Sequence, residues 1–127
     1  MNTPPIILCV DDEPMNLRVL IDLLQPNYQT RVAPRAAQAL KALETLTPDL
    51  ILLDIMMPEM DGFELCQAIK AQQRFAHTPI IFVTAKYDDN DKAHAKTLGA
   101  VDLLTKPIQP EQLKSTIEHY LHTSTES

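Results

Sequence analysis

Asp11, Asp12 and Glu13 follow the apolar run Ile6–Val10, and Asp54 follows Leu50–Leu53. Thr84 follows Ile80–Val83, and Lys106 with Pro107 comes just after Val101–Leu104. If these runs are parallel strands of one sheet, their far ends bring carboxylates, a hydroxyl and an ammonium group to one edge. Clustered carboxylates raise one another's pKa unless a positive charge holds them ionised. Oxygen donors with no His or Cys among them suit Mg²⁺, with Mn²⁺ as the alternative, rather than zinc. Such a site takes phosphate oxygens readily, and an aspartate carboxylate is a competent nucleophile toward phosphorus. Lys106 adds a point charge for phosphoryl oxygens and Thr84 a hydroxyl donor. Alone, each residue has an ordinary role: an acid at a helix start, a hydroxyl bonded to backbone, a surface lysine. Asp54, directly after an apolar run, calls for a partner. Only the joint placement points to phosphoryl transfer onto an aspartate.

The elements that would position these residues are legible as a fivefold alternation. Short runs at Ile6–Val10, Tyr28–Ala33, Leu50–Leu53, Ile80–Val83 and Val101–Leu104 are apolar throughout, except for Gln29, Thr30 and Arg31 in the second. Continuous apolar strands are those covered on both faces of a parallel sheet. Between them, Leu17, Leu20, Ile21 and Leu24, then Ala36, Leu40 and Leu43, then Phe63, Cys66 and Ile69, and last Leu113, Ile117 and Leu121 recur at helical spacing. Pro14 and Pro110 suit first helical turns, Asp61 with Glu64 a capping pair, and Gly99 a position just past a helix end. Pro26 and Pro48 cannot continue the helices before them. Asp88–Leu98 is the weakest helix, its apolar side reduced to Ala93, Ala95 and Leu98, and is expected to be the most mobile covering element. Five strand–helix units imply a single α/β domain, a parallel sheet with helices on both faces.

The composition narrows the partners. At 127 residues there is room for one core, and 45% hydrophobic with 22% charged residues is an ordinary globular balance. A net charge of −6 disfavours direct nucleic-acid binding, which needs a basic face. No run approaches the length of a membrane span and no signal peptide is visible, so a cytoplasmic location is expected. Cys9 and Cys66 have no metal or redox spacing and read as buried free thiols.

The segments Ile7–Val10 with Asp11-Asp12-Glu13-Pro14, Leu53-Asp54-Ile55-Met56-Met57-Pro58, Met60-Asp61-Gly62, Val83-Thr84-Ala85, Gly99-Ala100 and Thr105-Lys106-Pro107 together resemble the receiver domain of two-component response regulators. The resemblance runs from Ile6 to about Leu121. It implies a doubly wound five-stranded sheet of flavodoxin-like order 2-1-3-4-5, with a receiver domain over residues 1–122 and a polar tail or start of a linker at 123–127. It makes Asp54 the phosphoacceptor, Asp11 and Asp12 the acidic pair for Mg²⁺, and the Met56 carbonyl a further ligand. Thr84 becomes the switch hydroxyl and Lys106 the charge partner, with a cis Lys106–Pro107 bond turning the lysine inward. The implied donor is the phosphohistidine of a sensor histidine kinase or phosphotransfer domain, and the implied reader is an output domain or partner protein. Such a chain is a signalling phosphoacceptor, catalysing only its own phosphorylation and slow autodephosphorylation. Two departures stand out: Leu103 occupies the position where the family often carries Tyr or Phe, and Ala33-Pro34-Arg35-Ala36 lacks the usual small turn residues.

Other features carry less. His119 and His122 make a poor metal pair at a helix end, and His77 and His94 have no visible partner. Asp88-Asp89-Asn90-Asp91 lacks the Gly and Glu of a calcium loop and reads as acids opening a helix. The five methionines read as packing. A phosphatase of aspartyl-phosphate type needs a second acid where Met56 stands. A flavodoxin-like cofactor carrier needs a phosphate-cradling loop where Asp11-Asp12-Glu13 stands. The remaining alternative is a receiver-like docking module that works without phosphorylation.

Overall fold

The computed structural model describes residues 3–25 and 27–126, with side chains as far as Leu121. Five strands, β1 (Ile6–Val10), β2 (Gln29–Ala33), β3 (Leu50–Leu53), β4 (Ile80–Thr84) and β5 (Asp102–Thr105), alternate with helices α1 (Pro14–Leu24), α2 (Ala36–Ala42), α3 (Gly62–Lys70), α4 (Asp89–Thr97) and α5 (Pro110–Glu126). All strand pairs are parallel and the order is β2-β1-β3-β4-β5, the doubly wound arrangement expected. Pro26 and the side chains of the tail, His122 included, lie outside the described residues; the α5 backbone continues through Glu126.

Strand residues alternate between two separate cores. Leu8, Val10, Ile51, Leu53, Ile80 and Phe82 face a cluster closed by Ala36 and Ala39 of α2, Leu65, Cys66 and Ile69 of α3 and Ala95 of α4. Ile7, Cys9, Leu50, Leu52, Ile81 and Val83 face the other, closed by Leu17, Leu20 and Leu24 of α1 and Leu113, Ile117 and Leu121 of α5. Every residue of β3 and β4 is buried, which is why those runs show no polar alternation. Each large apolar side chain so buried contributes about 1.5–3 kcal/mol against the entropy of ordering it. At the edge, β2 has only Ala33 buried, and its Gln29, Thr30 and Arg31 meet solvent or its margin.

Helix ends follow local chemistry. Pro14 opens α1, Gly99 follows α4 at φ +101°, and Asp61 and Glu64 form a reciprocal capping box on α3. Asp88 and Asp91 form a second such box on α4, so the acidic run does open a helix. Of α4 only Ala95 is buried; Ala93, expected on its apolar side, faces solvent. A short 3-10 helix at Gln73–Phe75, unanticipated, sinks the Phe75 ring into the core with the Arg74 guanidinium 4.6 Å above it. Cys9 and Cys66 are free and buried. Burial, then the Asp11 charge, pushes the Cys9 thiol up to about 12; burial, opposed by Lys70, pushes Cys66 up to about 11.

Candidate functional site

The sheet's hydrogen-bond ladder continues one rung past the strand ends, and that rung carries the candidate residues. The Asp11 amide donates to Ala33 O (3.2 Å), the Asp54 amide to Val10 O (2.9 Å), and the Lys106 amide to Thr84 O (2.9 Å). Backbone pairing therefore fixes the origin of three functional side chains, although each loop lies beyond the apolar segment that drives its strand.

The side chains converge. Carboxylate oxygens of Asp11, Asp12 and Asp54 lie within 4.8 Å of one another. The Lys106 ammonium donates to Asp11 Oδ2 at 2.8 Å and to Asp54 Oδ2 at 3.3 Å. The remaining oxygens of the buried pair take local amides: Glu13 N to Asp11 Oδ1 (2.9 Å) and Met56 N to Asp54 Oδ1 (3.3 Å). Asp11 and Asp54 are only 3% and 5% exposed, whereas Asp12 faces solvent, so the cluster is open on one side. Glu13 is not in the carboxylate group; it stands at the start of α1, exposed, and makes no side-chain cap.

Three carboxylates face one ammonium, which leaves two formal negative charges to be offset. Burial, and then the charge of Asp11, raise the Asp54 pKa above the usual carboxylate range, and Lys106 only partly opposes them. Burial by itself lowers Lys106, but its bonds and charge contacts with Asp11 and then Asp54 outweigh this and hold it above the ordinary lysine value. A residual negative charge among hard oxygen atoms, with one open side, fits a divalent cation.

Thr84 is fully buried at the end of β4, and its hydroxyl donates over a long 3.5 Å to the carbonyl of Lys86. The Lys106–Pro107 bond is cis. Leu103 lines a cavity of about 190 Å³ between α4 and β5 with Ala95, Ala100, Lys92 and Lys96.

Several neighbours were not legible in the sequence. Met15 and Met56, read as packing, are 73% and 69% exposed beside the acidic loops. Arg35 reaches Glu59 at 3.4 Å across the loops that follow β2 and β3, and Glu59 has φ +71°. His94 does have a partner: its ring stands edge-on to Phe63 at 4.7 Å, and Phe63 stands edge-on to Phe82 at 5.3 Å. Adjacent residue types carry no signal for contacts between separate loops. Among the described residues, no helix is long and apolar enough to cross a membrane.

The sequence model of the response regulator receiver domain matches residues 7–118. The alkaline phosphatase synthesis transcriptional regulatory protein PhoP of Bacillus subtilis is 38% identical over 93% of this chain and 49% of its own length. A probable cyclic di-GMP phosphodiesterase of Vibrio cholerae is 39% identical over 91% of this chain but 26% of its own length. The chain thus spans about half or less of these curated relatives. Among solved structures, the chemotaxis protein CheY4 of Vibrio cholerae superposes with a TM-score of 0.89 at 30% identity, covering 93% of this chain and 99% of that one.

Proposed function

This chain belongs to the response regulator receiver domain family of two-component systems, and on that premise we propose that it takes a phosphoryl group on Asp54 in a Mg²⁺-dependent reaction. The observation that carries the reading is the convergence of Asp11, Asp12, Asp54 and Lys106 at one edge of the sheet, with more negative charge than the lysine offsets.

Asp11, Asp12 and Asp54 are the side chains that would hold the metal, with the Met56 carbonyl as a backbone ligand; Mn²⁺ suits the same oxygen set. Bound there, the metal supplies positive charge to the carboxylates and to the phosphoryl oxygens. Asp54 keeps one oxygen on the Met56 amide and the other within reach of Lys106, so its orientation is fixed before the donor arrives. Its carboxylate attacks phosphorus as the bond to the donor's imidazole nitrogen breaks, and that nitrogen leaves with the electron pair. Lys106 then shares its protons between Asp11 and the phosphoryl oxygens. Thr84, whose bond to Lys86 O is long, turns its hydroxyl toward the new charge.

The donor is a sensor histidine kinase or histidine phosphotransfer domain, for which exposed Met15 and Met56 offer apolar contact at the mouth of the site. The reader is an output domain or partner protein that binds one state of the α4–β5–α5 face better than the other. The protein acts in the cytoplasm as a switch, not a metabolic enzyme, with residues 1–122 as the receiver unit.

The test is intact-mass analysis after incubation with acetyl phosphate, with and without Mg²⁺, on the native chain and Asp54→Asn. One added phosphoryl group that needs both Mg²⁺ and Asp54 is the expected result. No addition across a full Mg²⁺ titration would overturn the reading in favour of a docking module that works without phosphorylation.

A further inference from the structure

Gly62, the first residue of α3, lies against the backbone of the residue proposed to be phosphorylated. A Cβ built on it would stand 2.2 Å from the Asp54 carbonyl oxygen, 2.8 Å from Ile55 Cα and 2.9 Å from Asp54 C. The Gly62 amide donates to Ile55 O at 2.8 Å, so the helix start and the strand end are joined as well as adjacent.

We propose that Gly62 is a positioning residue for phosphoryl transfer: its missing side chain lets α3 clamp the Asp54–Ile55 peptide and so aims the Asp54 carboxylate at the metal and the donor. This rests on the function proposed above and adds a residue to it.

The clamp works because α3 itself cannot give way. Its first turn is held by the Asp61–Glu64 box, with bonds of 2.9 and 3.0 Å. Leu65, Cys66 and Ile69 are fully buried along its inner face. At its far end the Lys70 ammonium donates to the carbonyls of Phe75 (3.2 Å), Ala76 (3.3 Å) and Thr78 (2.6 Å). A methyl group at position 62 must therefore be accommodated on the other side, by moving the Asp54–Ile55 peptide by about 1 Å. A reacting group has to be held within roughly 0.5 Å of its productive geometry. Displacement on that scale costs about a hundredfold in rate. The same movement carries the Met56 amide away from Asp54 Oδ1 and disturbs the oxygens that would bind the metal.

Gly62→Ala is compared with Gly99→Ala in the full chain. Both introduce glycine-to-alanine strain, but a Cβ on Gly99 (φ +101°) would have the flexible Lys70 side chain as its nearest neighbour, at an ordinary contact distance of 3.4 Å, and no backbone closer than that. Mg²⁺ affinity is read by calorimetric titration, phosphorylation by acetyl phosphate from intact mass, and folding from a thermal melt. The expected result is a lowered Tm for both variants, with native Mg²⁺ affinity and rate in Gly99→Ala. Gly62→Ala should show a Mg²⁺ Kd raised about tenfold or more and a rate lowered about a hundredfold, well below its Tm. A folded Gly62→Ala with native affinity and rate overturns the proposal. If Gly62→Ala gives no cooperative melt, Asp61→Ala decides, because it frees the first turn of α3 without a clash. A Kd raised about threefold or more then supports the clamp, and an unchanged one overturns it. If the native chain takes no phosphoryl group, the proposed function fails, and the Mg²⁺ affinities of the two glycine variants still decide whether Gly62 positions Asp54.

Discussion

The loops after β1 and β4 both place aspartates in front of a helix, and the two sets are put to different uses. Asp88, just before α4, and Asp91, in its first turn, are taken up by the backbone: each accepts the other's amide, at 3.1 and 2.9 Å. Asp88 is also exposed, so its charge is met by water. Before α1 the helix start is left to Pro14, and Glu13 makes no side-chain cap. Asp11 uses one oxygen on a local amide and turns the other, buried, to Lys106, 95 residues away in sequence. Among the described residues, the group able to hold a metal is this one and not the Asp88–Asp91 run, although the latter has as many aspartates. A carboxylate has chemistry to offer when its neighbours leave it an oxygen and its burial leaves its charge poorly solvated.

That contrast can be broken first at Lys106. Lys106→Ala leaves Asp11 and Asp54 buried with no counter-charge and should destabilise the metal-free protein by about 3 kcal/mol near neutral pH in urea unfolding. Added Mg²⁺ should recover much of this. Because folding raises the Lys106 pKa, its contribution is complete below the ordinary lysine value and fades as pH climbs through the raised folded value. The difference between native and variant should shrink over that alkaline window. An unchanged urea midpoint at neutral pH would mean that the two carboxylates do not need the lysine.

A smaller effect of opposite sign is expected at Asp54. Folding raises its pKa, so ionising it costs stability, and the cost sets in as pH rises through the ordinary carboxylate range. Without metal, Asp54→Asn should be more stable than the native chain by about 1–2 kcal/mol near neutral pH. The two melts should converge at about pH 3, where the native carboxyl is protonated. A native chain as stable as the variant at neutral pH would show that burial there is already compensated.

The smallest change sharpens the contrast from the other side. Asp88→Ala removes one cap of α4 and should cost about 1 kcal/mol while leaving Mg²⁺ affinity untouched. A weakened Mg²⁺ affinity would join the two acidic regions that the structure keeps apart.

Much of this is legible in the sequence alone. Continuous apolar runs such as Leu50–Leu53, alternating with helical patterns, read as inner strands and are buried throughout, so the residue that follows, Asp54, is placed at the sheet edge. Capping chemistry at Asp61 and Glu64 is local and was equally plain. What escaped involves contacts between separate segments: Phe75 under its 3-10 turn, His94 against Phe63, and Arg35 across to Glu59. Ala93 faces solvent against the sequence expectation because a weak apolar pattern does not fix a helix's rotation, and packing on Ala95 does.

The sequence by itself determined the strand and helix alternation, the parallel sheet and the residues at its edge, because hydrophobic periodicity and end signals act over a few neighbouring positions. Only the tertiary structure decided that Asp11 and Asp54 share one lysine while Asp12 stays open to solvent, and that the start of α3 presses on the Asp54 carbonyl with room for no side chain. Those are distances of a few ångströms between loops far apart in the chain, set by how the helices seat on the sheet, and no local pattern encodes them.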